Sequence, residues 1–131
     1  MATRSSITLK TEDGKYKTIY CHFDGYLSGV GKTLYEHYNT QEKAEKLLAC
    51  GDISVLEASC DKPEGHSFEN QIDGYTVYYG RDRGEEGTEA RVYFSFSEVL
   101  KKEKQEYNYF LDEKGWVYWT HNNHHLIPVE F

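Results

Sequence analysis

Cys21, His22 and Asp24 fall within the four residues CHFD and carry the functional groups of a nucleophilic triad. In such a triad a thiolate attacks, an imidazole accepts the proton and a carboxylate orients the imidazole. In an extended strand, however, Cys21 and His22 point to opposite faces, so the pair does not meet and Cys21 reads as a buried thiol. His22 and Asp24 share a face and can form a hydrogen-bonded pair at the strand's end. There they adjoin the Gly-rich loop that carries Tyr26, a position suited to a ligand. GYLSGVGKT, residues 25–33, ends like a phosphate-binding loop, but Tyr26 stands where the motif needs glycine and Gly25 is one position too early. The backbone N–H groups of that loop must converge on one phosphate, and an extra residue changes where they point. The stretch is therefore expected to be a flexible loop, with Lys32 and Thr33 opening a short helix.

A second group lies in GRDRGEEGTEA, residues 80–90. Arg81 and Arg83 flank Asp82 in a loop bordered by glycine, and the rings of Tyr75, Tyr78 and Tyr79 lead into it. Guanidinium forks suit phosphates and carboxylates, and rings beside them suit bases. The plainer reading is a solvated loop whose arginines pair with Glu85, Glu86 or Glu89. A third group, His121, His124 and His125 in THNNHHL, invites a zinc site. It lacks helical spacing and a nearby cysteine, and Asn122-Asn123 indicates a turn, so no metal is expected. In WVYWTH, Trp116, Tyr118 and Thr120 face one side and Val117, Trp119 and His121 the other. One side is assigned to the core and the other to a partner subunit or ligand. No spaced carboxylate pair, nucleophile elbow or dinucleotide fingerprint is present, so neither enzymatic activity nor a cofactor is expected.

The elements that must position these residues are mostly strands. SSITLKT and KYKTIYCHF alternate apolar and polar residues around Asp13-Gly14, a two-residue hairpin signal. In the second of these, Tyr16, Thr18, Tyr20 and His22 share one face and Ile19, Cys21 and Phe23 the other. TLYEHYN reads as a short helix. QEKAEKLLAC reads as another, capped by Thr40, stopped by Gly51 and striped by Ala44, Leu47 and Leu48. GDISVLEAS gives a turn or partial strand, and residues 59–73 a polar surface loop. GYTVYYG, 74–80, and ARVYFSF, 90–96, read as strands, with Ser97 or Ser95 capping a short charged helix, EVLKKEKQ, over 98–105. EYNYFLD and WVYWTH form a second hairpin around EKG, and LIPVEF is an edge strand that tolerates Pro128. The expected fold is α+β, a single domain over 1–131. Its sheet is expected to be twisted, antiparallel and built from hairpins, with two or three short helices packed on one face.

Composition limits the partners. A formal charge of −7 disfavours long nucleic acid and anionic membrane, whose non-specific binding rests on Lys and Arg. It leaves room for a small anion in a local basic pocket or for a basic protein partner. Cys21, Cys50 and Cys60 are few, odd in number and widely spaced, as expected of free thiols in a reducing compartment. No apolar run reaches membrane-spanning length, and MATRSSITLK lacks the apolar core of a signal peptide. A soluble intracellular protein is expected. The 12 tyrosines, beside 2 tryptophans and 6 phenylalanines, must supply part of the core and suit a recognition surface as well.

MATRSSI at the start, YCHFDGYL at 20–27, HYNT at 37–40, GDIS at 51–54, GRDRGEEGTEA at 80–90 and EYNYFLDEKGWVY near the end resemble a family of small tailed-phage accessory proteins. The likeness keeps the same order and runs over nearly the whole chain. It implies a role in disarming host defence, in the host cytoplasm. One group of such proteins, the anti-CBASS and Thoeris anti-defence sponges, binds cyclic oligonucleotides or cyclic ADP-ribose without cleaving them, usually as homo-oligomers. The residues expected to bind such a signal are His22, Asp24, Tyr26, Tyr79, Arg81, Arg83, Trp116 and Tyr118. The alternative is an acidic, anti-CRISPR-like inhibitor that binds a host defence complex. An enzyme using the histidine cluster ranks third.

Overall fold

The computed structural model describes residues 2–131; Met1, the first residue of the stretch read above for a signal peptide, lies outside them. The chain forms an α+β fold on one open, mixed sheet of eight strands. Asp13-Gly14 joins β1 (Ser5–Lys10) to β2 (Tyr16–Cys21), with Gly14 at φ +80°. β6 (Tyr107–Asp112) and β7 (Gly115–Thr120) make the second hairpin, extended by β8 (Asn123–Pro128). β3 (Ile53–Val55), β4 (Val77–Tyr78) and β5 (Arg91–Tyr93) are short. The strand order is β4-β3-β2-β1-β6-β7-β8, and β5 also pairs with β2.

The sheet departs from the expected antiparallel arrangement at two joints. β1 lies parallel to β6 with Ser5 opposite Tyr107, and β2 meets β3 in parallel at Cys21 and Ile53. Each joint brings together elements distant in sequence, and a parallel pair has no tight turn to announce it.

Four short helices, α1 (Lys32–His37), α2 (Gln41–Leu48), α3 (Tyr79–Arg83) and α4 (Phe96–Lys102), cover both faces rather than one. On one face Ile7, Leu9, Ile19, Cys21, Tyr109, Leu111 and Trp116 meet Leu34 of α1 and Ala44, Leu47 and Leu48 of α2. Burial pushes the Cys21 thiol up to about 12, leaving it protonated and unsuited to attack. On the other face the strands are polar at their centre and fully partnered. Thr8 and Thr18 share a hydrogen bond of 2.8 Å, and Ser6 Oγ donates to Asn108 Oδ1 at 2.7 Å. There α4 packs Phe96 against Trp119, 5.6 Å between ring centroids. Trp116 and Trp119 are both buried, so β7 shows no indole to solvent on either side.

Thr40 caps α2 as its type predicts, its Oγ1 accepting from Lys43 N–H at 3.2 Å. Thr40→Ala is expected to cost about 1 kcal/mol, measured by urea denaturation. A loss below a few tenths would mean that packing alone holds α2. Several stretches differ from expectation: ARVYFSF is strand only over Arg91–Tyr93 and gives Phe96 to α4, and LIPVEF is strand only to Pro128. GYTVYYG yields only Val77–Tyr78 as strand before α3 begins, because Asp82 Oδ2 accepts from the Tyr78 N–H at 2.8 Å and turns the chain into a helix. His124 and His125 lie in β8 rather than in a turn; the turn sits just before, at 121–122. Among the described residues no helix is long and apolar enough to cross a membrane.

Candidate functional site

GYLSGVGKT forms a π-helical turn, Leu27–Gly31, that runs straight into α1. Its glycines serve close packing rather than a phosphate. A Cβ on Gly31 would press on Leu27 and the Tyr109 ring at 3.2 Å, and one on Gly29 would overlap the Asp24 carbonyl oxygen. Lys32 and Thr33 do open the helix, and Thr33 Oγ1 donates to Gly29 O at 3.0 Å. The loop expected to be flexible is therefore a wide but closely packed helical turn.

The arginine pair separates. Arg81 points inward, and its donors are taken by the protein itself. Nε donates to Asp82 Oδ1 at 3.0 Å and Nη1 to Cys60 O at 2.7 Å. Nη2 reaches Thr76 O and Asp82 Oδ2, each at 3.1 Å. The guanidinium also lies 4.6 Å above the Tyr78 ring. Burial works against its charge, but Asp82 outweighs that and raises the Arg81 pKa. Buried His66 completes the network. Ile72 N–H donates to His66 Nδ1 at 3.1 Å, so the proton sits on Nε2, which faces Thr76 O at 3.2 Å and Asp82 Oδ2 at 3.5 Å. The polar stretch 59–73 is thus pinned from beneath. Arg81 holds that loop to α3 with four of its five N–H donors, leaving no free fork for a phosphate.

Arg91, just beyond the motif, is also architectural. Asp52 takes the Tyr20 N–H on Oδ1 at 2.8 Å and lies 3.5 Å from Arg91. Burial raises the Asp52 pKa, opposed by the Tyr20 N–H and Arg91. Arg91 forks onto buried Glu103 at 2.8 and 3.1 Å, and the Tyr93 hydroxyl adds a third bond at 2.6 Å. These bonds fasten β5 and the end of α4 to the sheet.

Of the other expected residues, Trp116 is 3 % exposed, with Nε1 donating to Tyr38 O at 2.9 Å. It belongs to the core and is unavailable to a ligand. Tyr118 is half-buried beside Tyr107 and Tyr109 on that same face. Asp24 adopts φ +59°, and its carboxylate accepts from the Tyr26 hydroxyl at 3.2 Å. His22 pairs with Tyr20 rather than Asp24; Tyr20 OH and His22 Nδ1 are 2.6 Å apart.

What the structure does assemble is a row of rings in two parts, Phe23–His22–Tyr20 and Tyr79–Phe68. His22 lies 5.9 Å from Tyr20, and Phe23 meets His22 edge-on at 4.5 Å. Burial raises the Tyr20 pKa; the Arg4 cation opposes it and Tyr79 adds to it, so both lie within electrostatic reach of this ring. Tyr79 in turn packs on Phe68 at 5.8 Å, and Arg83 sits 5.0 Å over Phe68, above an open hollow of about 360 Å³. The Arg4 guanidinium makes no hydrogen bond or ion pair among the described residues, and Arg83 only approaches Glu85, at 3.9 Å. His22, Tyr79 and Arg83 were legible as candidates; Arg4, Tyr20 and Phe68 were not. The face shared by Tyr20 and His22 was the one signal for Tyr20. Among the described residues, no three His, Cys, Asp or Glu side chains group as metal ligands. No protein-family model, curated protein or solved structure matches this chain.

Proposed function

We propose that this protein is a phage-encoded, non-catalytic binding protein that sequesters a cyclic nucleotide signal of host immunity in the host cytoplasm. The observation that carries the reading is the pair of ring groups Phe23–His22–Tyr20 and Tyr79–Phe68, with Arg4 within electrostatic reach of Tyr20 and Arg83 over Phe68. Bases stack on such rings with little regard to sequence, and guanidinium groups hold the phosphates. Arg81 has no part in it. The row lies on an open surface, so a second subunit would complete the enclosure.

The test is a thermal-shift screen against cyclic di- and trinucleotides and cyclic ADP-ribose isomers, with chromatography of the released ligand. A ligand at a hundred times its Kd adds about 2.7 kcal/mol of stability, a Tm rise of about 2–8 °C for a domain of this size. Arg4→Ala with Arg83→Ala should remove the rise while leaving the unliganded Tm within a degree or two. A chemically altered ligand would make the protein an enzyme, and no shift with any nucleotide defeats the proposal.

A second reading, an acidic inhibitor of a host defence complex, draws on carboxylates at the other end of the row. Burial raises the Glu57 pKa, and the charges of Asp73 and Asp24 add to it. A basic protein surface would meet them favourably. Pull-downs with Asp24→Lys and Asp73→Lys variants separate this reading from the first.

A further inference from the structure

The sheet face that carries α4 ends in an open groove of about 520 Å³. Its floor is the ring trio Tyr16, Phe96 and Phe110, with centroids 4.7–6.0 Å apart, and Leu126 of β8 borders it. Glu12, Asp112 and Glu113 line the rim, and none has an ion-pair partner among the described residues. Lys10 also lines it, with its Nζ 5.9 Å from the Tyr16 ring.

Phe96 is the first residue of α4, and Lys101 and Lys102 are its last basic residues. Both lysines and the following Lys104 are exposed and have no ion pair among the described residues. At 1.5 Å per residue the acid-rimmed groove and the lysines stand about 8–9 Å apart along one helix. A two-fold axis across the middle of α4 exchanges its ends, which lays the lysines of one copy over the carboxylates of the other, twice. That is the self-complementarity an isologous contact requires. Phe94, 73 % exposed just ahead of α4, and Leu126, 45 % exposed, supply apolar area beside the charges.

The other obvious route to a dimer, pairing of the β8 edge, is blunted. Val129 N–H bonds inward to Trp116 O at 2.9 Å, so the Pro128 nitrogen faces outward with no hydrogen to donate. Asn123 Oδ1 takes the His125 N–H at 3.1 Å. Such features discourage edge-to-edge pairing.

We infer that the groove is a homodimer interface in which two α4 helices cross antiparallel, Lys101 and Lys102 of each copy facing Glu12 and Glu113 of the other. The inference stands whether or not the protein binds a nucleotide. Light scattering and sedimentation equilibrium of the full chain test it. The protein is expected to be a dimer that dissociates as salt rises, since exposed charges are screened within about 8 Å at physiological ionic strength. Glu12→Lys with Glu113→Lys should weaken the dimer by about tenfold or more, as should Lys101→Glu with Lys102→Glu. All four positions are exposed, and unchanged melting temperatures of dilute samples would verify the fold. Mixing the two variants should restore a heterodimer. A monomer at every concentration overturns the inference. So does a dimer that survives both reversals, or a mixture that fails to associate.

Discussion

Arg81→Ala should lower the free energy of unfolding by about 3–5 kcal/mol, the usual cost of removing one partner from a buried charged pair. The loss has several sources. The Asp82 side chain is fully buried and would lose its cationic partner, keeping only the Tyr78 N–H at 2.8 Å and His66 Nε2 at 3.5 Å. Cys60 O and Thr76 O would lose a donor, and the cation over Tyr78 would disappear. Arg81→Lys should recover less than half, because an ammonium cannot reach Asp82 and two carbonyls in one plane. Urea denaturation with hydrogen exchange over residues 59–76 makes the measurement. A loss below about 1 kcal/mol, or full rescue by lysine, would remove Arg81 from its structural role and reopen it as a ligand contact.

The second large effect is expected at Gly51. It ends α2 with φ +82°, and a Cβ there would overlap the Thr88 carbonyl oxygen. That carbonyl also receives the Asp52 N–H at 2.8 Å, so displacing it disturbs Asp52 and through it Tyr20 and Arg91. Gly51→Ala should cost about 2–4 kcal/mol, in the range of a core defect. Gly14→Ala is the matched control: its φ is +80°, but nothing stands within 4 Å of the new methyl group. It should lose only the left-handed backbone penalty of about 1–2 kcal/mol. Equal losses at the two sites would show that the approach of Thr88 to Gly51 does not matter.

These two glycines mark how far the sequence could be read. Asp13-Gly14 between two alternating runs encodes a hairpin locally, and so does Thr40 ahead of an apolar stripe. Gly51 was legible as a helix stop, but the need for glycine there comes from Thr88, 37 positions away. Arg81 and Arg83 look equivalent on the page. Only the fold turns one inward to Asp82 and leaves the other out over Phe68. His66 sits in a stretch of polar residues, and nothing nearby signals that it would be buried. The ring row was half visible, because alternation put Tyr20 and His22 on one face. Phe68, Tyr79 and Arg4 reach it from three other segments that no periodicity connects.

The parallel joint between β1 and β6 also fixes the order in which the chain can fold. Ser5 pairs with Tyr107 across 102 positions, and β1 sits between β2 and β6 in the middle of the sheet. Closing so long a loop brings an entropic penalty before any contact compensates it, and topologies dominated by such pairings fold in milliseconds to seconds rather than microseconds. On the ribosome the first hairpin emerges early but has no neighbour on its β1 side until residues 107–111 leave the exit tunnel. The nascent chain therefore carries a central strand with one edge open until those residues emerge, and the sheet closes only then.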